Sequence, residues 1–283
     1  MNILFDLNHP VDVNFFKNSI LHLKKSGVNV RIVFRERGVL EKIIKYELPS
    51  LPITKIGKHH KLFLSKFFFQ LIRDIYIFRY IKKFKIDKVC CFGSTSAISS
   101  YFGKVIYLAF DDDFEYKIPF YHANIFCTKH IYPDFIEFSN KKTIKYSGFK
   151  ELAYLHPKYL NISDKILTTY NLLDKKYVFI REIDNVSLNY KDPNSILSQI
   201  VNSLRLSNFE IILSLENKKL SSLYKDSCVI LKEPVEDFYS LLYHSAFTIS
   251  SGDTVARESS LLGVPTIYTG GRNMAVNKVL IDE

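Results

Sequence analysis

The stretch from Phe247 to Gly271, FTISSGDTVARESSLLGVPTIYTGG, constrains this chain more than any other. An apolar run, a glycine turn, a short helical pattern and a second apolar run follow one another directly. That order predicts a buried strand, a tight turn, a helix and a second strand. The turn Ser250-Ser251-Gly252 falls where the helix begins. Backbone N–H groups and the positive end of the helix dipole then face one spot, which suits a phosphate. Glu258 follows about one and a half turns later, where a carboxylate can reach a ribose hydroxyl pair. A plain βαβ unit with a glutamate on its helix surface fits the same spacing.

The rest of the chain alternates in the same way. In the first half, Asn2–Leu7 and Asn29–Phe34 read as strands, and Val13–Ser26 and Gly38–Tyr46 as helices. Ile86–Phe92, Val105–Phe110, Asn124–Cys127 and Thr143–Tyr146 are further short apolar runs, expected as strands. In the second half the expected strands are Tyr177–Arg181, Phe209–Leu215, Cys228–Leu231, Ala246–Ile249 and Thr266–Tyr268. The helices between them are Pro193–Leu206, Lys218–Lys225, Val235–His244 and Thr254–Leu262. Such alternation implies an α/β protein of two doubly wound, parallel-sheet (Rossmann-like) domains. The expected division is 1–150 and 151–283, with a linker near Gly148–Lys165, where Gly148, Pro157 and mixed polar residues interrupt the pattern. A length of 283 residues suits two domains of ordinary size.

Charge is unevenly spread. Residues 1–150 carry 25 Lys and Arg against 13 Asp and Glu, whereas residues 151–283 carry 14 against 16. The first half is therefore expected to meet something anionic, although compositional drift in a Lys-rich chain gives the same count. No zinc-finger, basic-zipper or RNP-type motif accompanies the charge, so nucleic acid is not an expected partner. Cys90, Cys91, Cys127 and Cys228 lack metal-binding spacing and read as reduced core residues. The N-terminus runs directly into a strand, with no signal-peptide pattern. Leu62–Lys85 is the strongest amphipathic segment, with Lys66, Gln70, Arg73, Asp74, Lys82 and Lys83 mainly on one side. Charges interrupt every window of about 18 residues, which excludes a membrane span. Two alternatives remain for it: a long helix packed on the sheet, or one whose aromatic face touches lipid.

Ligands of doubly wound proteins sit beyond the carboxyl ends of the strands. There the sequence places Asn8-His9-Pro10, with His9 a candidate general base. It also places Gly93-Ser94-Thr95-Ser96, a small-residue turn at a helix start that either binds an anion or caps the helix. Asp111-Asp112-Asp113-Phe114-Glu115 follows the next strand. Asp113 and Glu115 are taken as substrate-orienting carboxylates rather than metal ligands, and no metal or cofactor is called for. G-x-S-x-G, Walker A and G-x-G-x-x-G motifs are missing, which removes most support for lipase, NTPase and dinucleotide oxidoreductase chemistry.

SGDTVARESSLLGVP resembles the nucleotide-sugar site of glycosyltransferase-B proteins, in particular the N-acetylglucosaminyltransferase that makes lipid II. UDP-N-acetylglucosamine 2-epimerases carry a related turn. Five ordered segments resemble the domain of unknown function 354 more closely. They are Asp6-x-x-His9-Pro10-x-x-Val13-x-Phe15-Phe16-Lys17, Phe92-Gly93-Ser94 and Asp113-Phe114-Glu115. Then come Tyr146-Ser147-Gly148 with Glu151-x-Ala153-Tyr154-Leu155, and Thr254-Val255-Ala256-Arg257-Glu258.

The resemblance implies two domains facing across a cleft. It also implies an enzyme that uses a nucleotide-diphosphate sugar, UDP-linked, in cell-surface glycan synthesis. Ser251, Gly252 and Thr254 would hold the diphosphate and Glu258 the ribose. Arg257 and Arg272 would neutralise phosphate charge, and Gly270-Gly271 would admit the ligand backbone-close. Asn8 and Ser94 would help bind substrate, and His9 would deprotonate the acceptor hydroxyl. A lipid-linked or glycan acceptor, with peripheral contact at the inner membrane face, would account for the basic first half of a cytoplasmic protein. Two alternatives accompany this: a 2-epimerase using Asp113 and Glu115 as acid and base, and a degenerate sugar-nucleotide-binding protein. The degenerate alternative rests on Asp253, where the family usually has glycine. A carboxylate there would compete with phosphate for the same N–H groups. At about 4 Å and an effective dielectric near 20 the repulsion is roughly 4 kcal/mol, unless Arg257, Arg272 or a cation compensates. The family often has His where this chain has Asn14. The chain is also expected to be short at its C-terminus, lacking a helix that crosses back onto the first domain and braces its closure.

Overall fold

The computed structural model describes residues 1–58, 63–184, 197–232, 235–272 and 274–282, the side chains of 63–67 excepted. It divides into two compact units. The first comprises Met1–Tyr154 together with Met274–Val279, and the second is the remainder of the chain.

The first unit opens with strand β1 (Asn2–Leu7), helix α1 (Pro10–Lys25), β2 (Asn29–Glu36), α2 (Leu40–Glu47) and β3 (Ile53–Lys58). It continues through α3 (Phe63–Lys83), β4 (Lys88–Phe92), α4 (Ala97–Gly103) and β5 (Ile106–Phe110). Then follow α5 (Lys117–Phe126), β6 (Lys129–Pro133), β7 (Thr143–Tyr146) and α6 (Leu152–Leu155). The seven strands form one parallel sheet in the order β3-β2-β1-β4-β5-β6-β7. Chain order reverses direction at β1, and this places helices on both faces. On one face, Val13, Phe16 and Ile20 of α1 and Leu40 and Ile44 of α2 pack on Ile3, Phe5 and Leu7. On the other, Ile77, Tyr80 and Ile81 of α3, Ala97 of α4 and Ala123 of α5 pack on Leu4, Val89, Tyr107 and Ala109. The alternation of inward residues along β1 is what serves both faces at once.

The second unit runs through α7 (Lys165–Thr169), β8 (Tyr177–Glu182), α8 (Leu197–Leu206), β9 (Glu210–Leu215) and α9 (Ser221–Tyr224). After these come β10 (Val229–Ile230), α10 (Phe238–Tyr243), β11 (Phe247–Ser250), α11 (Asp253–Leu261) and β12 (Thr266–Tyr268); the last helix, α12 (Ala275–Asp282), belongs to the first unit as far as Val279. Its parallel sheet has the order β10-β9-β8-β11-β12, reversing at β8. Each sheet is thus doubly wound, as the alternation in the sequence predicts.

Three local expectations are corrected. Asn124–Cys127 is not a strand, since its residues to Phe126 close helix α5 and the strand is Lys129–Pro133. The run is the last turn of a helix with Ile125 exposed, and a short apolar run carries no period long enough to separate helix from strand. Lys218–Lys225 begins as a single 3-10 turn, Lys218–Leu220, before α9. Helix α1 starts earlier than Val13, at Pro10, because proline is preorganised for the first helical position. The expected helix starts at Pro193 and Leu62 lie outside the described residues.

Helix α3 has its polarity reversed. Gln70, Arg73 and Asp74, expected together on the polar side, turn inward, while Phe68, Phe69, Leu71, Ile75 and Tyr76 are exposed. Lys82 and Lys83 are exposed, and the Lys66 side chain lies outside the described residues. The reversal has a cause in β1. Asp6 is fully buried, and a buried carboxylate needs a partner. Arg73, only 2% exposed, supplies it with two hydrogen bonds to Asp6, Nη1 to Oδ2 at 2.9 Å and Nη2 to Oδ1 at 2.5 Å. Its Nε donates to the Ile56 carbonyl at 2.9 Å.

Candidate functional site

In both sheets the strand order reverses next to a glycine-containing turn, the position where open α/β sheets leave a crevice beyond their strand ends. In the second unit this place lies between the ends of β8 and β11. Ser250 pairs in register with Arg181 on one side and Tyr268 on the other. Hence the turn Ser250-Ser251-Gly252 and the segment Gly270-Gly271-Arg272 emerge from neighbouring strands at the same sheet end.

Gly252 is the residue before α11 and gives it no side-chain cap. The first helical bond runs from the Ala256 N–H to the Gly252 carbonyl, so the preceding N–H groups of the helix have no carbonyl within it. A Cβ at position 252 would lie 3.1 Å from Ile183 Cγ2, so glycine is what lets the turn lie against the end of β8. Ser251 ties the turn to β8 from the other side. Its hydroxyl donates to Glu182 Oε2 at 3.0 Å and accepts from the Ile183 N–H at 2.9 Å. The Ser250 hydroxyl donates to the Gly252 carbonyl at 2.7 Å.

The Asp253 carboxylate is 5% exposed and accepts from the Tyr268 hydroxyl through Oδ1 and from Arg272 Nη1 through Oδ2 at 2.6 Å. The expected repulsion of phosphate by Asp253 is thus met by Arg272, an ion pair that neutralises the carboxylate beside the turn. Gly270 has a reason of its own: a Cβ there would sit 2.3 Å from the Tyr268 hydroxyl. Gly271 has open space where its Cβ would be. Thr254 is half-buried at the helix start, and Arg257 and Glu258 are buried. Arg257 Nε donates to the Asp253 carbonyl at 3.4 Å, and the Tyr239 hydroxyl donates to Glu258 Oε1 at 3.3 Å.

In the first unit the crevice lies between the ends of β1 and β4. His9 caps α1: its Nδ1 accepts from the Val11 N–H at 3.3 Å, while Asp12 Oδ2 accepts from the N–H groups of Asn8 at 2.7 Å and His9 at 3.0 Å. Because Nδ1 is an acceptor, the neutral ring carries its proton on Nε2. Burial, with Arg37 and Lys150 nearby, holds the His9 pKa down to about 3. Burial pushes Asp12 up to about 7, against the two backbone hydrogen bonds and Lys150. Asn8 Nδ2 donates to Thr95 Oγ1 at 2.9 Å, joining the two turns, and Asn8 Oδ1 is sealed from solvent without a hydrogen-bond partner. Gly93 adopts φ +76°, the left-handed conformation that favours glycine, and Ser94 follows half-buried.

The carboxylates after β5 divide differently from the expectation. Asp113 is half-buried and its Oδ1 accepts from the Glu115 N–H at 2.8 Å, while Glu115 is exposed. The buried member is Asp112, and Asp111 is half-buried. Asp111 Oδ2 lies 2.8 Å from His130 Nε2, and burial raises its pKa to about 6. Asp112 pairs with Lys150, which is 8% exposed and lies 5.2 Å above the Phe92 ring. The sequence did not single out Lys150, Asp12 and Asp112, which are buried, with half-buried Asp111 as a charged group. Two signals pointed to them: His9-x-x-Asp12 has the spacing of a capping box, and Lys150 stands inside a family segment. Among the described residues no three metal-ligating side chains converge, and no helix is long and apolar enough to cross a membrane.

Two doubly wound units with turns at their reversal points define a protein of the glycosyltransferase-B fold. Its family can also be stated. The chain belongs to DUF354, a protein family of unknown function, whose model matches residues 1–283. It is similar to an uncharacterized protein of Methanocaldococcus jannaschii, 26% identical over 302 residues that cover 100% of this chain and 86% of that protein. Among solved structures it resembles the UDP-GlcNAc 2-epimerase of Neisseria meningitidis bound to UDP-GlcNAc. There the TM-score is 0.74 at 14% identity, over 99% of this chain and 85% of that one. The UDP-GlcNAc 2-epimerase of M. jannaschii, in complex with UDP-GlcNAc and UDP, gives a TM-score of 0.74 at 16% identity, over 100% and 87%. MurG of Acinetobacter baumannii gives 0.56 at 14% identity, over 95% and 78%. These likenesses concern the fold.

Proposed function

We propose that this chain is a glycosyltransferase-like enzyme that binds a nucleoside-diphosphate sugar, UDP-linked, at the start of α11 and acts in the synthesis of a cell-surface glycan. The observation that carries this is the uncapped N-terminus of α11. Gly252 gives that helix start no side-chain cap, and Arg272 stands beside it, paired with Asp253. A diphosphate would accept from the N–H groups of that helix start and gain from the helix dipole. The proposed contacts are Ser251, Gly252 and Thr254 to the diphosphate, Arg257 and Arg272 to its charge, Glu258 to the ribose and Gly271 to the ligand's flank. Solved structures of the same fold that hold UDP-GlcNAc or UDP support this choice of ligand. The Asp253–Arg272 pair also removes the main motive for regarding the chain as a degenerate binder.

The first unit would receive the acceptor, a glycan or lipid-linked sugar. The acceptor oxygen attacks the anomeric carbon, the bond to the diphosphate breaks, and the hydroxyl proton passes to a carboxylate. In this scheme His9 is a neutral Nε2–H donor to the substrate, since its other nitrogen is committed to the Val11 N–H. A histidine kept neutral at a helix N-terminus acts as an electrophile rather than a base. The acid/base groups come from the carboxylates after β5, with Asp113 and Glu115 nearest to solvent and Asp111 poised near neutrality. Asn8 and Ser94 would line the acceptor side.

The same carboxylates favour a second reading, epimerisation of the sugar nucleotide, which moves a proton without any acceptor. Higher structural likeness to the epimerases than to MurG supports it. Product analysis separates the two, because an epimerised sugar nucleotide formed in the absence of acceptor contradicts transfer. The nucleotide site is tested by a thermal-shift panel of nucleotides and nucleotide sugars. A UDP-type ligand should raise the melting temperature of the wild type and not of Glu258→Ala. Failure of every nucleotide to stabilise the wild type would contradict the assignment.

A further inference from the structure

Helices α3, α4 and α5 form one layer on one face of the first unit's sheet, and their outer side is apolar and basic. The sheet side of α3 is fixed by polar ties. Arg73 holds Asp6, and Gln70 Nε2 donates to the Thr95 carbonyl at 2.9 Å and to Asp74 Oδ2 at 3.1 Å. With its polar residues consumed inside, the helix turns Phe68, Ile75 and Tyr76 to solvent, at 59%, 52% and 55% exposure. The neighbouring helices add Phe102 at 64% and Ile125 at 63%. Tyr101 of α4 meets Phe126 of α5 at a ring separation of 5.4 Å, so the two helices touch through this apolar surface. Scattered apolar side chains on a surface are ordinary; several on three packed helices are not.

The charge on this layer has one sign. Arg79, Lys82 and Lys83 of α3 and Lys117 of α5 are exposed, as is Lys104 just beyond α4. Across all three helices the sequence has a single carboxylate, Asp74, and it is buried. Apolar and aromatic groups that enter the acyl boundary, flanked by lysines that meet phosphate headgroups, suit an anionic bilayer surface. A second copy fits less well, because an isologous contact sets the patch against itself and offers its cations no carboxylate.

We propose that the outer face of α3, α4 and α5 is a docking surface for an anionic lipid bilayer. It deepens the lipid-linked acceptor proposed above without depending on the nucleotide site. The same helix that carries Ile75 and Tyr76 outward holds, through Arg73 and Gln70, the turns bearing Asn8 and Thr95. A bilayer on the outer side therefore lies against the helix that positions the acceptor-side turns.

The test is co-flotation with vesicles of phosphatidylcholine alone or mixed with phosphatidylglycerol. The wild type should float with the mixed vesicles and lose most of that binding in high salt. Ile75→Glu/Phe102→Glu, both at exposed positions, should weaken flotation by about tenfold or more. Lys82→Glu/Lys83→Glu should weaken it by about fivefold for each lysine removed. UDP-induced thermal shifts of these variants should match the wild type, which separates this proposal from the nucleotide site. Wild-type protein that stays unbound to phosphatidylglycerol vesicles would overturn the proposal. So would flotation of both variants at the wild-type level. Sedimentation showing a wild-type dimer that Ile75→Glu/Phe102→Glu splits, without vesicle binding, would assign the face to a second copy instead.

Discussion

Helices α1 and α11 both start beside the reversal point of their sheet, α1 after the reversing strand β1 and α11 after β11, the neighbour of the reversing strand β8. The two starts are finished in opposite ways. At α1 every means of closure is used: Pro10 at the first helical position, His9 accepting from the Val11 N–H and Asp12 accepting from the N–H groups of Asn8 and His9. At α11 the preceding residue is Gly252, with no side chain to offer, and the carboxylate of Asp253 is held by Tyr268 and Arg272. A closed helix start spends its N–H groups on the protein and is left with side-chain chemistry. An open one keeps its N–H groups for a ligand. The account therefore assigns anion binding to the second unit and substrate-facing side chains to the first.

The largest expected effect concerns what lies beneath the closed turn. Arg73→Leu should leave Asp6 buried without its partner and cost about 3–5 kcal/mol in urea unfolding. A change below about 1 kcal/mol would mean that Asp6 does not rely on Arg73. Next, Arg272→Ala should leave Asp253 as a bare charge beside the open turn and weaken UDP binding by roughly a hundredfold in calorimetry. Restoration of binding in Arg272→Ala/Asp253→Asn would sharpen this, because the double change removes the charge that Arg272 balances.

The closed turn has its own pH signature. Asp12 ionises at about 7 in the folded protein and near 3.8 when unfolded. The unfolded chain thus releases its proton first, and the contribution of Asp12 to stability declines as pH rises from about 4 to about 7. Asp12→Asn should flatten that decline in denaturant titrations across this range. His9 works in the opposite sense. With a pKa near 3 folded and 6.5 unfolded, it costs stability as pH falls below 6.5. Its ring resonances should show no protonation step between pH 8 and pH 4, and a step near 6.5 would restore a role for it as base. The smallest effect is that of the cap itself: His9→Ala should cost about 1 kcal/mol.

Much of this was legible in the sequence. The strands β1, β2, β8, β9 and β11 announce themselves as mainly apolar runs, and the turn at Gly252 announces the start of α11. Other elements were hidden for physical reasons. Strand β3, ITKIGK, lies at a sheet edge with one buried residue, Ile56, so it lacks the pattern of a buried strand. Strand β6, KHIYP, buries His130 against Asp111, which makes a core position look polar. Helix α3 was visible as a helix but its orientation was not, because its inner face is set by Asp6, dozens of residues away in sequence. The role of Asp253 was legible only as a carboxylate at a helix start. Its pairing with Arg272 depends on the neighbouring strand β12 delivering that arginine to the same sheet end.

The central claim, that the open start of α11 and not the closed start of α1 takes the diphosphate, is tested most directly by a crystal structure of the chain with UDP. The account predicts diphosphate oxygens on the backbone N–H groups that follow Gly252, with Arg272 alongside and the ribose toward Glu258. Diphosphate bound at the turn from Asn8 to Asp12, or a nucleotide held away from Gly252, would contradict it.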